Sequence, residues 1–78
     1  MSERIVEESE LATLAKTFRE SAGKNRTEAA RELKVAAPTL HQAEEEPARS
    51  LHKLRKQIIE KYSDYEVVGP VYLLRKKG

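Results

Sequence analysis

Side chains that could carry out catalysis or bind metal are scarce in this chain, and they are not grouped. His41 and His52 are the only histidines, and there is no cysteine. Glu44 and Glu45 follow His41 by one helical turn, a spacing more typical of a solvated helix surface than of a metal site. The chain has no glycine-rich phosphate loop and no serine in the setting of an activated nucleophile. We therefore expect neither an enzyme nor a bound metal, cofactor or small-molecule substrate.

The most regular pattern lies between Arg26 and Glu45, in the stretch RTEAARELKVAAPTLHQAEE. Its small and apolar residues recur at the spacing of two short helices that pack across a tight turn. Ala30 stands where the helices would cross, and a close crossing requires a small side chain. Because proline is tolerated in a first helical turn, Pro38 predicts that the second helix begins at residue 37 or 38. The predicted buried positions are Ala29, Ala30, Leu33, Val35, Leu40 and Ala43.

This stretch resembles the helix-turn-helix of the lambda-repressor and Cro-like DNA-binding proteins at five positions: Ala30, Val35, Leu40, Ala43 and Glu44. The resemblance extends more loosely from about residue 9 to residue 62. It implies that the second helix enters the major groove of double-stranded DNA, with its N-terminal part against the base edges. The family usually has glycine before the position of Val35, where this chain has Lys34. A left-handed conformation there would cost lysine roughly 1 kcal/mol.

The resemblance also indicates which residues would contact DNA. Gln42 points away from the buried side of its helix, and a carboxamide can pair bidentately with adenine. The residues predicted to read bases are Ala37, Thr39, His41, Gln42 and Glu45. The predicted phosphate contacts are Lys24, Asn25, Arg26, Thr27 and Arg31, with Arg49 and Lys53 as second choices. Acids 44–46 would repel phosphate, so this end of the helix is expected to tilt away, or Glu45 to read a cytosine amino group.

A helix is predicted to precede the motif. Ser9 is a candidate N-cap for a helix from Glu10 to Ser21, and Gly23 is a candidate left-handed cap at its end. Leucine and alanine repeat there at three and four residues, and Phe18, the only phenylalanine, is expected at the centre of the core. Residues 1–8 contain too few apolar side chains to be anchored, which predicts a flexible N-terminal arm.

A fourth helix is predicted to follow the motif, beginning after Pro47 and running from Ala48 to Tyr62. Its apolar stripe is formed by leucines and isoleucines, and its basic residues, Arg55 included, are expected on the other faces. Together with the motif these helices predict a helical domain over residues 9–64. The predicted fold class is mainly α with a short C-terminal β segment.

The C-terminal segment, residues 65–78, changes from helical to strand-like composition and ends in a basic tail. Gly69-Pro70 divides its apolar residues, which leaves two interpretations. One is a β-hairpin that turns at Gly69-Pro70. The other is a strand that pairs with its copy in a homodimer, because the run is apolar on both faces. The predicted dimer interface is Val71, Tyr72, Leu73 and Leu74.

Length and charge limit the functional classes. Seventy-eight residues allow one domain with a small core. Dimerisation would bury further apolar surface and stabilise such a domain. No apolar run reaches membrane-spanning length, so we expect a cytoplasmic protein. The net charge is only +2, but acidic and basic residues are segregated along the chain. The leading interpretation is a homodimeric, DNA-binding transcriptional regulator, expected to be a repressor. The alternative is a helical protein-interaction module, antitoxin-like or adaptor-like, that does not read DNA.

Overall fold

The computed structural model describes residues 3–68 and 72–77. Four helices and a small antiparallel sheet form the fold, which confirms the predicted mainly α class with a short β segment. The helices are α1 (Glu8–Ser21), α2 (Arg26–Leu33), α3 (Ala37–Glu45) and α4 (His52–Tyr62). The strands are β1 (Glu3–Ile5), β2 (Tyr65–Val68) and β3 (Leu73–Lys76). No helix among the described residues is long and apolar enough to cross a membrane.

Helix α1 begins two residues earlier than predicted. Its N-cap is Glu7 rather than Ser9, and the Glu7 N–H donates to Glu10 Oε1 at 2.9 Å. This bond satisfies an N–H that the start of a helix leaves without an intrahelical partner. At the other end Gly23 has φ +75°, the left-handed conformation predicted for it.

Helix α4 is shorter than predicted and begins at His52 instead of Ala48. Residues 46–51 form turns, in which the Arg49 N–H donates to the Glu46 carbonyl at 2.9 Å. The same carbonyl also accepts from the Arg55 guanidinium at 2.8 Å. These bonds hold residues 46–51 as a non-helical connection between α3 and α4. Pro47 lies in this connection and does not start a helix.

The sheet has the order β1-β3-β2, with both strand pairs antiparallel. Strands β2 and β3 are paired within one chain, which agrees with the hairpin interpretation. The turn predicted at Gly69-Pro70 lies outside the described residues. The N-terminal segment is not a free arm, since Ile5 pairs with Leu73 and Val6 N–H donates to the Tyr72 carbonyl at 2.8 Å.

The position of β3 corrects the predicted dimer interface. Because β3 is hydrogen-bonded on both sides, it has no free edge for a strand of a second copy. Leu74 is 4% exposed and belongs to the core, while Tyr72 and Leu73 are half-buried. Val71 lies outside the described residues. The apolar character on both faces of this segment therefore reflects a central strand rather than an intermolecular one.

The core lies between α1, α3 and α4 and extends to the inner face of the sheet. Leu11, Leu40, Ile58 and Ile59 are fully buried and form its centre. Phe18 does not occupy the centre as predicted. It is half-buried and stacks on Tyr65 of β2, with ring centroids 5.8 Å apart.

Candidate nucleic-acid interface

Helices α2 and α3 are joined by a tight turn whose geometry matches the predicted motif. Lys34 adopts φ 60° and ψ 44°, the left-handed conformation that glycine adopts most readily. The Val35 N–H then donates to the Ala30 carbonyl at 2.9 Å, which closes the end of α2. Ala30 is 4% exposed, so the small residue predicted at the crossing is buried there. The two helices are thereby fixed relative to each other.

The residues beside them determine where α2 and α3 begin. Asn25 is the N-cap of α2, and its Oδ1 accepts from the Glu28 N–H at 2.8 Å. The Glu28 carboxylate accepts from the Asn25 N–H at 3.1 Å, which completes a capping box. Helix α3 starts at Ala37 with Pro38 in its first turn, as predicted. Asn25 is thus occupied with helix capping, which weakens its assignment as a phosphate contact.

Residues 37–42 of α3 form an accessible surface that contains no acid, lysine or arginine. Ala37, Pro38 and His41 are exposed, whereas Thr39 and Gln42 are half-buried. Within the described part of the chain, the side chains of Thr39, His41 and Gln42 have no hydrogen-bond partner. Leu40 and Ala43 are fully buried on the opposite side, as predicted. Four of the five predicted base-reading residues therefore lie on one accessible surface, and three of them, Thr39, His41 and Gln42, have unused hydrogen-bonding groups.

The start of α3 also favours an anion. Its N-cap is Ala36, which offers no side-chain cap, and its first turn contains no acid. The positive end of the helix dipole is therefore left without a negatively charged side chain of its own.

Glu45 differs from the other four predicted base-reading residues. Its carboxylate lies 2.8 Å from Lys16 Nζ of α1 and also accepts from Arg26. The hydrogen bond from Lys16, together with that from Arg26, lowers the pKa of Glu45. A carboxylate held by two cations is a weaker candidate for reading a cytosine amino group than the sequence alone predicts.

Glu44 is the most buried acid of α3, with none of its side chain exposed. Arg19 of α1 holds it with two bonds, Nε to Oε2 at 2.6 Å and NH2 to Oε1 at 3.0 Å. Arg26 Nε adds a third bond to Oε1 at 3.0 Å. Arg19 NH1 donates further to the Lys24 carbonyl at 2.6 Å. Glu44 is therefore neutralised inside the protein, whereas Glu45 and Glu46 are paired with cations at its surface.

Internal ion pairs also change the predicted phosphate contacts. Lys24 is paired with Glu32 at 2.9 Å, and Arg49 is paired with Glu46 at 3.0 Å. Arg26 is bound to Glu44 and Glu45, and the hydrogen bond to Glu44 raises its pKa. These three cations have their charge balanced by a neighbouring acid and are weaker candidates than predicted.

Three predicted phosphate contacts stay exposed without an acidic partner in the described chain: Thr27, Arg31 and Lys53. Sequence reasoning missed a fourth candidate, Lys34, which is exposed in the turn directly before α3. The signal for it was present, because a left-handed turn residue projects away from both helices. Arg31 and Lys34 provide positive charge at the end of α2, next to the uncharged start of α3.

Arg55 was predicted to lie on an outer face of α4, but it has a structural role in the interior. It is fully buried, and its Nε donates to the Ala43 carbonyl at 2.8 Å. With its bond to the Glu46 carbonyl it satisfies backbone groups at the end of α3. Burial lowers the pKa of Arg55. The signal was its position four residues from both Leu51 and Ile59, which places it within the apolar stripe.

No group of three or more histidine, cysteine, aspartate or glutamate side chains positioned to hold a metal ion occurs in residues 3–68 and 72–77. Comparison of the chain with protein-family models, curated proteins and solved structures gave no match.

Proposed function

We propose that this protein binds double-stranded DNA in a sequence-specific manner as a small homodimeric transcriptional regulator, with α3 in the major groove. The observation that carries the proposal is the difference between residues 37–42 and the last two residues of α3. Apart from the buried Leu40, residues 37–42 are exposed or half-buried, contain no acid, lysine or arginine, and include three polar side chains with free hydrogen-bonding groups. The acids at the end of α3, Glu44 and Glu45, are bound to Lys16, Arg19 and Arg26. The surface offered to DNA therefore lacks the repulsion that the sequence alone suggests.

The dimensions and chemistry of α3 suit this role. An α-helix with its side chains is about 10–12 Å across, which fits a major groove about 12 Å wide. Gln42 can pair bidentately with adenine, and His41 can donate to guanine. Ala37 and the methyl group of Thr39 can contact the thymine methyl group. Under this proposal these four residues supply the sequence preference.

The cations at the end of α2 supply the backbone contacts. Arg31 and Lys34 are exposed and lie at the motif turn, and Thr27 is exposed at the start of α2. Contacts to phosphate fix the register of a protein on the duplex but carry no sequence information directly. A regulator that occupies its site in this way can act as a repressor by blocking access, and under this proposal it does so in the cytoplasm.

The experiment that tests the proposal is selection of bound sites from random duplex DNA, followed by binding measurements at several salt concentrations. We expect one DNA sequence to be enriched. The affinity of the protein for it should fall steeply with salt, because lysine and arginine side chains that bind phosphates displace the counterions condensed on the DNA. The selection also shows the symmetry of the site, since a homodimer favours a palindrome.

The protein-interaction alternative gives the opposite outcome in the same experiment. A module that binds a protein through this helical pair would enrich no sequence and would bind duplex DNA no better than any other polyanion. Either of these results would overturn the proposed function.

A further inference from the structure

The outer edge of β1 is the one sheet edge that the described chain leaves open. The other outer edge belongs to β2, and side chains of the same chain cover it. The Tyr65 N–H donates to Ser63 Oγ at 3.1 Å, and the Val67 N–H donates to Glu60 Oε2 at 3.1 Å. Such coverage is a known way to prevent pairing at a sheet edge.

The backbone groups of Ile5 point away from the sheet. Val6 donates its N–H to Tyr72 of β3, and in an antiparallel pair residues alternate between facing the partner strand and facing away. Arg4 therefore faces β3 with Val6, whereas residues 3 and 5 turn their N–H and C=O groups outward. They are available to a further strand.

The side chain of Ile5 marks the same edge. It is 73% exposed, the one large hydrophobic residue in the described chain with such exposure. The pairing places Ile5 beside Leu73, and Leu73 beside Val68. The adjacent row contains Leu74 and is buried against the helices, so the Ile5 row lies on the outer face. An apolar row thus crosses the sheet and ends at the open edge.

We propose that β1 is a self-association strand that pairs antiparallel with β1 of a second copy, Ile5 opposite Ile5. This register lets the two isoleucines exchange two backbone hydrogen bonds. It also joins the two outer rows into one apolar row of six residues across a six-stranded sheet. A shift of one residue on each strand would instead place Arg4 opposite Arg4, and like charges directly opposite each other are destabilising. The inference deepens the homodimer of the proposed function and rests on it.

The register predicts how strong the association is. After Val6 the chain leaves the sheet for α1, so the strand contact is short and belongs to the small interface class, below about 1,200 Å² in total. The dimer is therefore weak, with a Kd on the order of 100 μM.

Cysteine cross-linking tests the register directly, because the chain has no cysteine of its own. Hydrogen-bonded antiparallel pairs have Cα atoms about 5.5 Å apart, within the range that a disulfide spans. Ile5→Cys should form a covalent dimer under mild oxidation at least about tenfold faster than Thr17→Cys, because pairing raises the effective thiol concentration. Thr17 is the matched control, exposed on α1. Equal rates for the two variants would overturn the proposed register.

Sedimentation equilibrium of the full chain provides the second measurement. Wild type should dimerise reversibly, while Ile5→Lys should weaken dimerisation more than about tenfold. Thr17→Lys should leave it unchanged, and thermal melts of both variants show whether the fold is retained. A wild type that stays monomeric up to several times the expected Kd, or an Ile5→Lys variant that dimerises normally, would overturn the interface. Sequence-specific binding of single half-sites by the monomer would then keep the DNA-binding part of the proposed function and remove only its homodimer.

Discussion

Arg19 Nε lies 2.6 Å from Glu44 Oε2 and joins the end of α1 to the last turns of α3. The pair is almost completely buried, with Glu44 side-chain exposure of 0% and Arg19 side-chain exposure of 6%. A buried carboxylate without a partner would be strongly disfavoured, so the bond fixes the rotation of α3 about its axis. That rotation determines which residues α3 presents to the outside. The surface proposed to read DNA therefore depends on a contact on the other side of the helix.

The Arg19–Glu44 pair gives a prediction about stability. Glu44→Gln should lower the free energy of unfolding by about 3 kcal/mol, because removing one partner leaves a buried charge uncompensated. The amide oxygen of glutamine still accepts one bond, which places the loss at the low end of the range for such pairs. Urea denaturation measures it. Glu46→Gln is the control, because the Glu46–Arg49 pair is exposed and should contribute at most about 1 kcal/mol. Equal losses for both variants would contradict the role given to Glu44.

The left-handed turn gives a second prediction. Lys34→Gly should be more stable than Lys34→Ala by about 1 kcal/mol, because glycine adopts φ 60° without the steric cost of a Cβ atom. Both variants lose the same charge, so their difference isolates the backbone conformation. Thermal or urea denaturation measures the difference. If alanine were the more stable variant, the turn would not have the conformation described here.

Several local features of the fold could be predicted from the sequence. The left-handed Gly23, the tight turn after α2 and the start of α3 at Ala37, with Pro38 in its first turn, all depend on a few neighbouring residues. Propensities and hydrogen bonds act over that distance, which is why they could be predicted. The buried faces of the helices followed in the same way from their three- and four-residue spacing.

The features that were missed depend on distant contacts. Nothing near Glu44 indicates that Arg19, 25 residues away, neutralises it. Strand β1 forms only because β3, at the other end of the chain, offers an edge to it. For the same reason Arg55 was assigned to the surface, since its carbonyl partners belong to the end of α3.

The hydroxyl group of Tyr62 links α4 to α2 and gives a prediction about pH. It donates to Glu32 Oε1 at 2.5 Å, and this bond, followed by the one from Lys24, lowers the pKa of Glu32. A folded-state pKa below the unfolded value, about 4.3, stabilises the protein above that pH. The contribution is lost as pH falls through the folded pKa.

Tyr62→Phe should therefore make the free energy of unfolding less dependent on pH below about 4.3. Urea denaturation at neutral pH and at several acidic pH values measures the slope. Tyr65→Phe is the matched control, because the Tyr65 hydroxyl has no hydrogen-bond partner among residues 3–68 and 72–77. If Tyr62→Phe left the pH dependence of the free energy of unfolding in acid unchanged, the Tyr62 hydroxyl would not be a cause of the lowered pKa of Glu32.

The exposed cations at the motif turn give a prediction about salt dependence. Arg31→Ala should weaken DNA binding on all sequences alike and reduce the slope of log K against log salt by about 1. Arg49→Ala is the comparison, because Arg49 is paired with Glu46 and is a weaker candidate than Arg31, so its loss should change the slope less. Fluorescence anisotropy over a range of salt concentrations measures both slopes. A larger effect for Arg49 than for Arg31 would place the DNA on a different surface.

The most direct test of base reading by α3 is the affinity of Gln42→Ala for the selected site and for unrelated duplex DNA. Loss of a bidentate contact to adenine should weaken binding to the selected site by about 1–3 kcal/mol and leave nonspecific binding nearly intact. Gln57→Ala, an exposed glutamine on α4, should bind both duplexes as wild type does. Wild-type affinity of Gln42→Ala for the selected site, or an equal loss on both duplexes, would contradict sequence reading by Gln42 of α3.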